Sequence, residues 1–163
     1  RAHYERALAI DEAAFGPHHP NVAIRVSNLG SVLQALGDLD GARAAFERAL
    51  AIDEAAFGPH HPNVARDVNN LGLVLQAMGD LAGARAAYER VLSILEKTLP
   101  PEHPYIAATI TNLGLVLQAM GDLEGARAHY ERALQIFRES LGEDHPHTVT
   151  VRNNLNALKK AGA

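Results

Sequence analysis

The sequence predicts an all-α fold of about eight helices arranged as antiparallel pairs, and three observations predict it. The stretch from Asn70 to Ala86 has close copies beginning at Asn28 and at Asn112, a spacing of 42 residues each time. A period in this range means stacked supersecondary units, each burying its apolar face against its neighbours. Within every copy the apolar residues fall three and four apart and never alternate, which is helical and not strand periodicity. Two breaks recur in register, one of the type Gly37-Asp38 and one of the type His19-Pro20. The expected organisation is a single array over residues 1–163: a half repeat 1–15, repeats 16–57, 58–99 and 100–141, and a half repeat 142–163.

The elements follow in order. Residues 1–14 match the second half of the later units, with Tyr4, Ala7, Leu8 and Ala14 at helical spacing. Gly16 ends that helix, and Pro20 suits the first turn of the next, where its missing N–H costs nothing. The first helix of a repeat, helix A, then runs over 21–36 with Val22, Val26, Leu29, Val32, Leu33 and Leu36 on one side. Gly37 is a left-handed stop and Asp38 an N-cap. Helix B covers about 39–56 and turns Ala42, Ala45, Phe46, Ala49, Leu50 and Ile52 inward. So short a connection makes the two helices antiparallel. The pair recurs as 62–78 with 80–98 and as 104–120 with 122–141, and a last helix A covers 146–160.

Gly30, Gly72 and Gly114 stand in the middle of A helices, where glycine costs about 0.5–1 kcal/mol against alanine. Close approach of helix B, with Ala42, Ala84 and Ala126 placed to meet the glycines, is the expected compensation. Asn156 occupies the fourth such position, and no helix B follows it.

Asn-Leu-Gly-x-x-Leu in helix A, the following Gly-Asp, and then Ala42, Phe46 and Ala49 resemble the tetratricopeptide repeat across essentially the whole chain. The unit is eight residues longer than the usual 34, and its added His-Pro and longer helix B resemble the 42-residue variety of kinesin light chains and of the sensor arrays of bacterial signalling ATPases. Val26, Val68 and Ile110 stand where the common pattern has Trp. The resemblance implies a right-handed superhelical solenoid whose A helices line a concave inner groove. HEAT and armadillo units have similar lengths but fit the Leu-Gly and Gly-Asp positions poorly, and a propeller blade would need strands.

The bulk chemistry narrows the function. A net charge of −4 with basic and acidic residues interleaved offers no field for a phosphate backbone, so nucleic acid is not expected as a partner. With no cysteine there is neither a disulfide framework nor a thiolate metal site, and no apolar run approaches the ~18 residues of a spanning helix. No membrane association is expected, and the cytoplasm is the expected compartment. The chain opens at Arg1 in register with Arg43, Arg85 and Arg127, as a segment of a longer array would.

Positions that differ between copies point to recognition, since shared ones serve packing. Repeats 16–57 and 58–99 agree at roughly two-thirds of positions, and the differences in helix A cluster at Ile24/Arg66/Ala108, Arg25/Asp67/Thr109, Ser27/Asn69/Thr111 and Ser31/Leu73/Leu115. Three of these sites are spaced i, i+3, i+7 and share a face. Amid them lie Asn28, Asn70, Asn112 and Asn154 in register. An amide donates and accepts together, so such a ladder suits the backbone of an extended peptide. The alternative is a bond to the adjacent helix that fixes packing. By resemblance, the matching Asn in several family members holds ligand backbone. The expected peptide-binding set is therefore Asn28, Asn70, Asn112 and Asn154 with Arg66, Asn69, Leu73, Ser27, Ser31, Thr111 and Leu115. A carboxylate clamp of the co-chaperone kind needs cations on successive A helices, and only Arg66 fits, with Ile24 and Ala108 at the equivalent positions.

The nine histidines gather mainly in the interhelix breaks, where an imidazole caps helix A or packs on the preceding helix B, and no metal site or cofactor is expected. No nucleophile is paired with a base in a motif and no glycine loop cradles phosphate, so no catalysis is expected. Acids such as Asp11-Glu12 and Asp53-Glu54 read as solvated faces, and Glu47-Arg48, Glu89-Arg90 and Glu131-Arg132 as exposed ion pairs within repeats. The leading expectation is a non-catalytic module that binds a peptide or partner segment. The alternatives are a structural spacer or scaffold assembling head to tail through its half units, and the sensor arm of a larger signalling ATPase.

Overall fold

In a computed structural model, residues 2–160 are described. Arg1 and residues 161–163 lie outside the described residues, as do the side chains of Ala2 and Tyr4, so the outermost parts of the two expected half repeats are not assessed. Eight helices account for the described chain and no strand occurs among these residues: α1 Ala2–Phe15, α2 Pro20–Ala35, α3 Leu39–Phe57, α4 Pro62–Ala77, α5 Leu81–Thr98, α6 Pro104–Ala119, α7 Leu123–Leu141 and α8 Pro146–Lys160. They group into two compact units, Arg1–Ala87 and Tyr88–Ala163.

Both breaks work through local chemistry. At each A helix a histidine is the N-cap: the Nδ1 of His19 accepts from the Asn21 N–H at 3.1 Å, that of His61 from Asn63 at 3.2 Å and that of His103 from Tyr105 at 3.2 Å. Proline fills the next position, so the helix begins with one donor fewer to satisfy. The same ring packs on the end of the preceding B helix, with centroids 5.0 Å apart for Phe15 and His19 and 4.4 Å for Phe57 and His61. At the other break the chain passes through Gly37 at φ +82°, a conformation that side chains disfavour. Asp38 then accepts from the Gly41 N–H at 3.0 Å and Asp122 from that of Gly125 at 2.9 Å, starting α3 and α7.

In the first unit Val22, Ala23 and Val26 of α2 pack on Ala45, Ala49 and Ile52 of α3, with Leu8 of α1 against them. A second cluster joins Leu33, Ala42, Phe46 and Val74 with Leu29, Leu39 and Leu71 at its margin. Burying a Val or Ile of this kind contributes about 1.5–3 kcal/mol, which is what fixes the pairing of helices too short to stand alone. In the second unit Ile106, Ile110 and Val116 of α6, Tyr130, Ala133 and Phe137 of α7, and Val151 and Leu158 of α8 are all buried. The Tyr130 hydroxyl donates to Gln118 Oε1 at 2.9 Å, and burial pushes that phenol up to about 12.

Several sequence expectations are corrected. Leu36 is the C-cap of α2 and 66% exposed, because the helix ends one residue before it and the chain turns away. Ala14 is exposed as well. The close approach at the mid-helix glycines is made by an aromatic ring, not by Ala42 or Ala126: a Cβ on Gly30 would lie 2.9 Å from the Phe46 ring and one on Gly114 2.7 Å from the Tyr130 ring. Glu47 and Glu131 pair within their repeats with Arg43 and Arg127, but two of the arginines that follow the acids reach outside theirs. Arg48 bonds Glu12 of α1, and Arg132 bonds Glu96 of α5 at 2.7 Å, so each links one B helix to another.

Candidate functional site

The face of interest in the first unit is built by α2 and α4, whose N-caps fix their rotation and whose Val22, Val26, Val64 and Val68 face inward. The outward residues are then set by the 3.6-residue period. Ile24 is 43% and Leu73 38% exposed, and Asn28 and Ser31 are exposed between them. Asn69 and Asn70 are half-buried.

Ser27 is buried, and its Oγ accepts from Asn70 Nδ2 at 3.3 Å. The two A helices of this unit are therefore bridged by a side-chain bond at the position expected to read a ligand. Asn70 thus takes part in packing, with one of its two amide N–H groups committed to this bond. Ser31 Oγ donates back to the Ser27 carbonyl at 3.2 Å.

In the second unit Asn112 and Asn154 are half-buried, Ala108 likewise, and Leu115 is 37% exposed. Thr111 is buried and donates to the Ala107 carbonyl at 2.8 Å, so it too is turned inward. On the B-helix side, an open depression of about 360 Å³ is floored by Leu113 and edged by Glu96, Lys97 and His129. Glu96 there is already held by Arg132, and the His129 Nδ1 lies 2.7 Å from the Gly125 carbonyl.

Arg66 departs furthest from its expected role. Its Nη2 lies 3.1 Å from Asp53 Oδ2 and 3.0 Å from Asp67 Oδ1, and both acids are 0% exposed. The Arg66 side chain, 42% exposed, sits like a lid over two buried carboxylates. Asp53 is thus no part of a solvated face. The repeat carried the signal that was missed, since Leu95 and Phe137 occupy the same register and are core residues. Asp67 is displaced well above the usual carboxylate range, to about 6, first by burial, against the pull of Arg66 and with the charge and hydrogen bond of Asp53 adding to it. Asp11 at the same register in α1 meets Arg25 of α2 at 2.6 Å.

Among the described residues no three His, Asp or Glu side chains converge as metal ligands would. No described helix is long and apolar enough to cross a membrane.

Helical pairs in a 42-residue register, with His-Pro and Gly-Asp breaks and an amide repeated in register on the A helices, define a repeat protein of the α-solenoid class. The chain belongs to the tetratricopeptide repeat family, whose sequence profile matches residues 23–97 and 105–158. It is similar to the crystal structure of a putative kinesin light chain with nearly identical TPR-like repeats from Podosopora anserina, with 26% identity over 97% of this chain and 75% of that one and a TM-score of 0.83. It is also similar to BtubC (BKLC) from P. vanneervenii, with 24% identity over 97% of this chain and 63% of that one and a TM-score of 0.86. The first TPR domain of Spaghetti (RPAP3), bound to the HSP90 peptide SRMEEVD, shares 16% identity over 85% of this chain and 91% of that one, with a TM-score of 0.64. A search of curated proteins finds no match. The kinesin-light-chain-like variety expected from the unit length is thereby borne out. Repeats of this family generally mediate protein–protein interaction and typically serve as non-catalytic scaffolds.

Proposed function

We propose that the chain is a non-catalytic binding module whose A-helix faces hold a peptide or extended partner segment. The observation that carries this is the exposure of Ile24, Asn28, Ser31 and Leu73 on α2 and α4: residues that differ between copies stand beside an amide and are left to solvent. Amides supply both halves of a backbone bond, and Ile24 and Leu73 supply exposed apolar area that a ligand would cover. Leu115 beside Asn112 offers the same pairing on α6, with Asn154 in register on α8. Ser27 and Thr111 drop out of the reading set because they are buried, and Arg66 serves the buried acids beneath it. A carboxylate clamp loses its one cation by the same argument. The working compartment under this reading is the cytoplasm.

The spacer alternative, assembled head to tail, draws less support. Where a following B helix would pack, α8 presents exposed Asn156, in the register of the mid-helix glycines, and exposed Lys159. Desolvating such groups without partners is costly. Service as the sensor arm of a larger ATPase is compatible with the peptide reading and would draw on the same face.

The test is a peptide array probed with the chain and with the Asn28→Ala and Leu73→Ser variants. The expected outcome is a set of bound peptides whose signal falls at least fivefold in each variant while the melting temperature holds. An array that binds nothing, or peptides indifferent to both substitutions, would overturn the proposal.

A further inference from the structure

The binding face leaves the two acids beneath Arg66 without a use. Asp53 lies toward the end of α3 and Asp67 in the second turn of α4, and across the joint between repeats 16–57 and 58–99 both reach the same nitrogen, Arg66 Nη2, at 3.1 Å and 3.0 Å. Arg66 satisfies Oδ2 of Asp53 and Oδ1 of Asp67. The other oxygens, Oδ1 of Asp53 and Oδ2 of Asp67, are buried with less than 1 Å² of exposed surface and have no donor. With both acids ionised, this interior would carry two negative charges against one positive, and two acceptors would lack donors. Each of those faults costs free energy. An internal water could donate to both oxygens but would leave the charge unbalanced. One proton held between them corrects both faults at once, turning one oxygen into a donor and bringing the cluster to neutrality.

We infer that Asp53 and Asp67 share a single proton across the α3–α4 contact, so that this joint between repeats holds more tightly at mildly acidic pH than at alkaline pH.

The direction follows from linkage. The Asp67 carboxyl is raised to about 6 in the folded chain, above the ordinary value of about 3.9 that it regains on unfolding. A raised carboxyl contributes stability that is fully present below the ordinary value and is lost as pH rises through the folded one. The charges acting on Asp67 are chiefly Arg66 and Asp53. The other charged and titratable groups on the surrounding elements include Glu54 on α3, with Asp40, Arg43, Glu47 and Arg48 further toward its start, Arg25 on α2 with Asp11 of α1 as its partner, and His60 and His61 in the break. His61 is engaged through its Nδ1 in the cap of α4.

Chemical denaturation of the whole chain at pH 5 and at pH 8, beside Asp53→Asn and Asp67→Asn, tests this. Either amide can donate to the facing carboxylate at every pH and leaves one acid for Arg66. The wild-type folding constant is expected to fall about tenfold from pH 5 to pH 8 relative to both variants. Parallel profiles for wild type and variants would overturn the inference. If neither variant folds, carboxyl carbon resonances of the wild type decide. A midpoint near pH 6 for Asp67, felt at Asp53, supports the shared proton, and two separate midpoints below about pH 4.5 refute it.

Discussion

The same two positions of the repeat meet very different chemistry at α3–α4 and at α7–α8. In the first, Asp53 and Asp67 are fully buried under Arg66. In the second, the residues in register are Phe137 and Val151, 2% and 0% exposed. At α1–α2 the corresponding residues are Asp11 and Arg25, paired at 2.6 Å and partly solvated. The slot between a B helix and the next A helix thus accepts an ion pair, a diacid with a cation, or plain hydrocarbon. Its geometry belongs to the helix pair and its contents to the individual repeat. What the slot enforces is that its contents leave no unmatched charge and no void, because either is strongly destabilising in the interior.

That comparison can be broken from the apolar side first. Phe137→Ala empties the α7–α8 slot and is expected to cost about 3–5 kcal/mol, measured by urea denaturation at pH 7. A loss below about 1 kcal/mol would mean that the slot collapses freely and is not a rigid feature of the repeat. From the polar side, Arg66→Ala leaves two buried carboxylates with no cation. It is expected to cost a comparable ~3–5 kcal/mol at pH 8 and less at pH 5, where the pair takes up protons. An equal cost at both values would show that the acids are not what Arg66 serves. The smallest effect comes from converting one slot into the other. Asp53→Leu together with Asp67→Val gives α3–α4 hydrocarbon contents and frees Arg66, already half-exposed, to water. The expected result at pH 8 is between no change and a gain of about 1–4 kcal/mol, read by the same denaturation. A large loss would show that the two joints are not geometrically equivalent.

Much of the molecule was legible in its residues because the governing interactions are local. His-Pro and Gly-Asp set the helix ends through bonds spanning two or three residues, and these appear as expected at His19, His61, Asp38 and Asp122. Repetition made the pairing of helices legible too, since each copy gives the same answer to the same packing problem. The candidate face was only partly legible. Spacing places Ile24, Ser27 and Ser31 on one face, yet that face is wide enough for Ser27 to turn toward α4 and bond Asn70 while its neighbours remain in water. Spacing cannot say which edge of a stripe a second helix will cover.

By itself, then, the sequence determined the family, the number and order of the helices, and the chemistry of every break, all of them consequences of contacts a few residues long or repeated every 42. The tertiary structure alone decided that Phe46 and not Ala42 meets Gly30, that Arg48 reaches Glu12, and that Arg66 closes over Asp53 and Asp67. Those outcomes depend on how two helix surfaces cross, and on the burial that the crossing imposes, which no run of residues along one helix encodes.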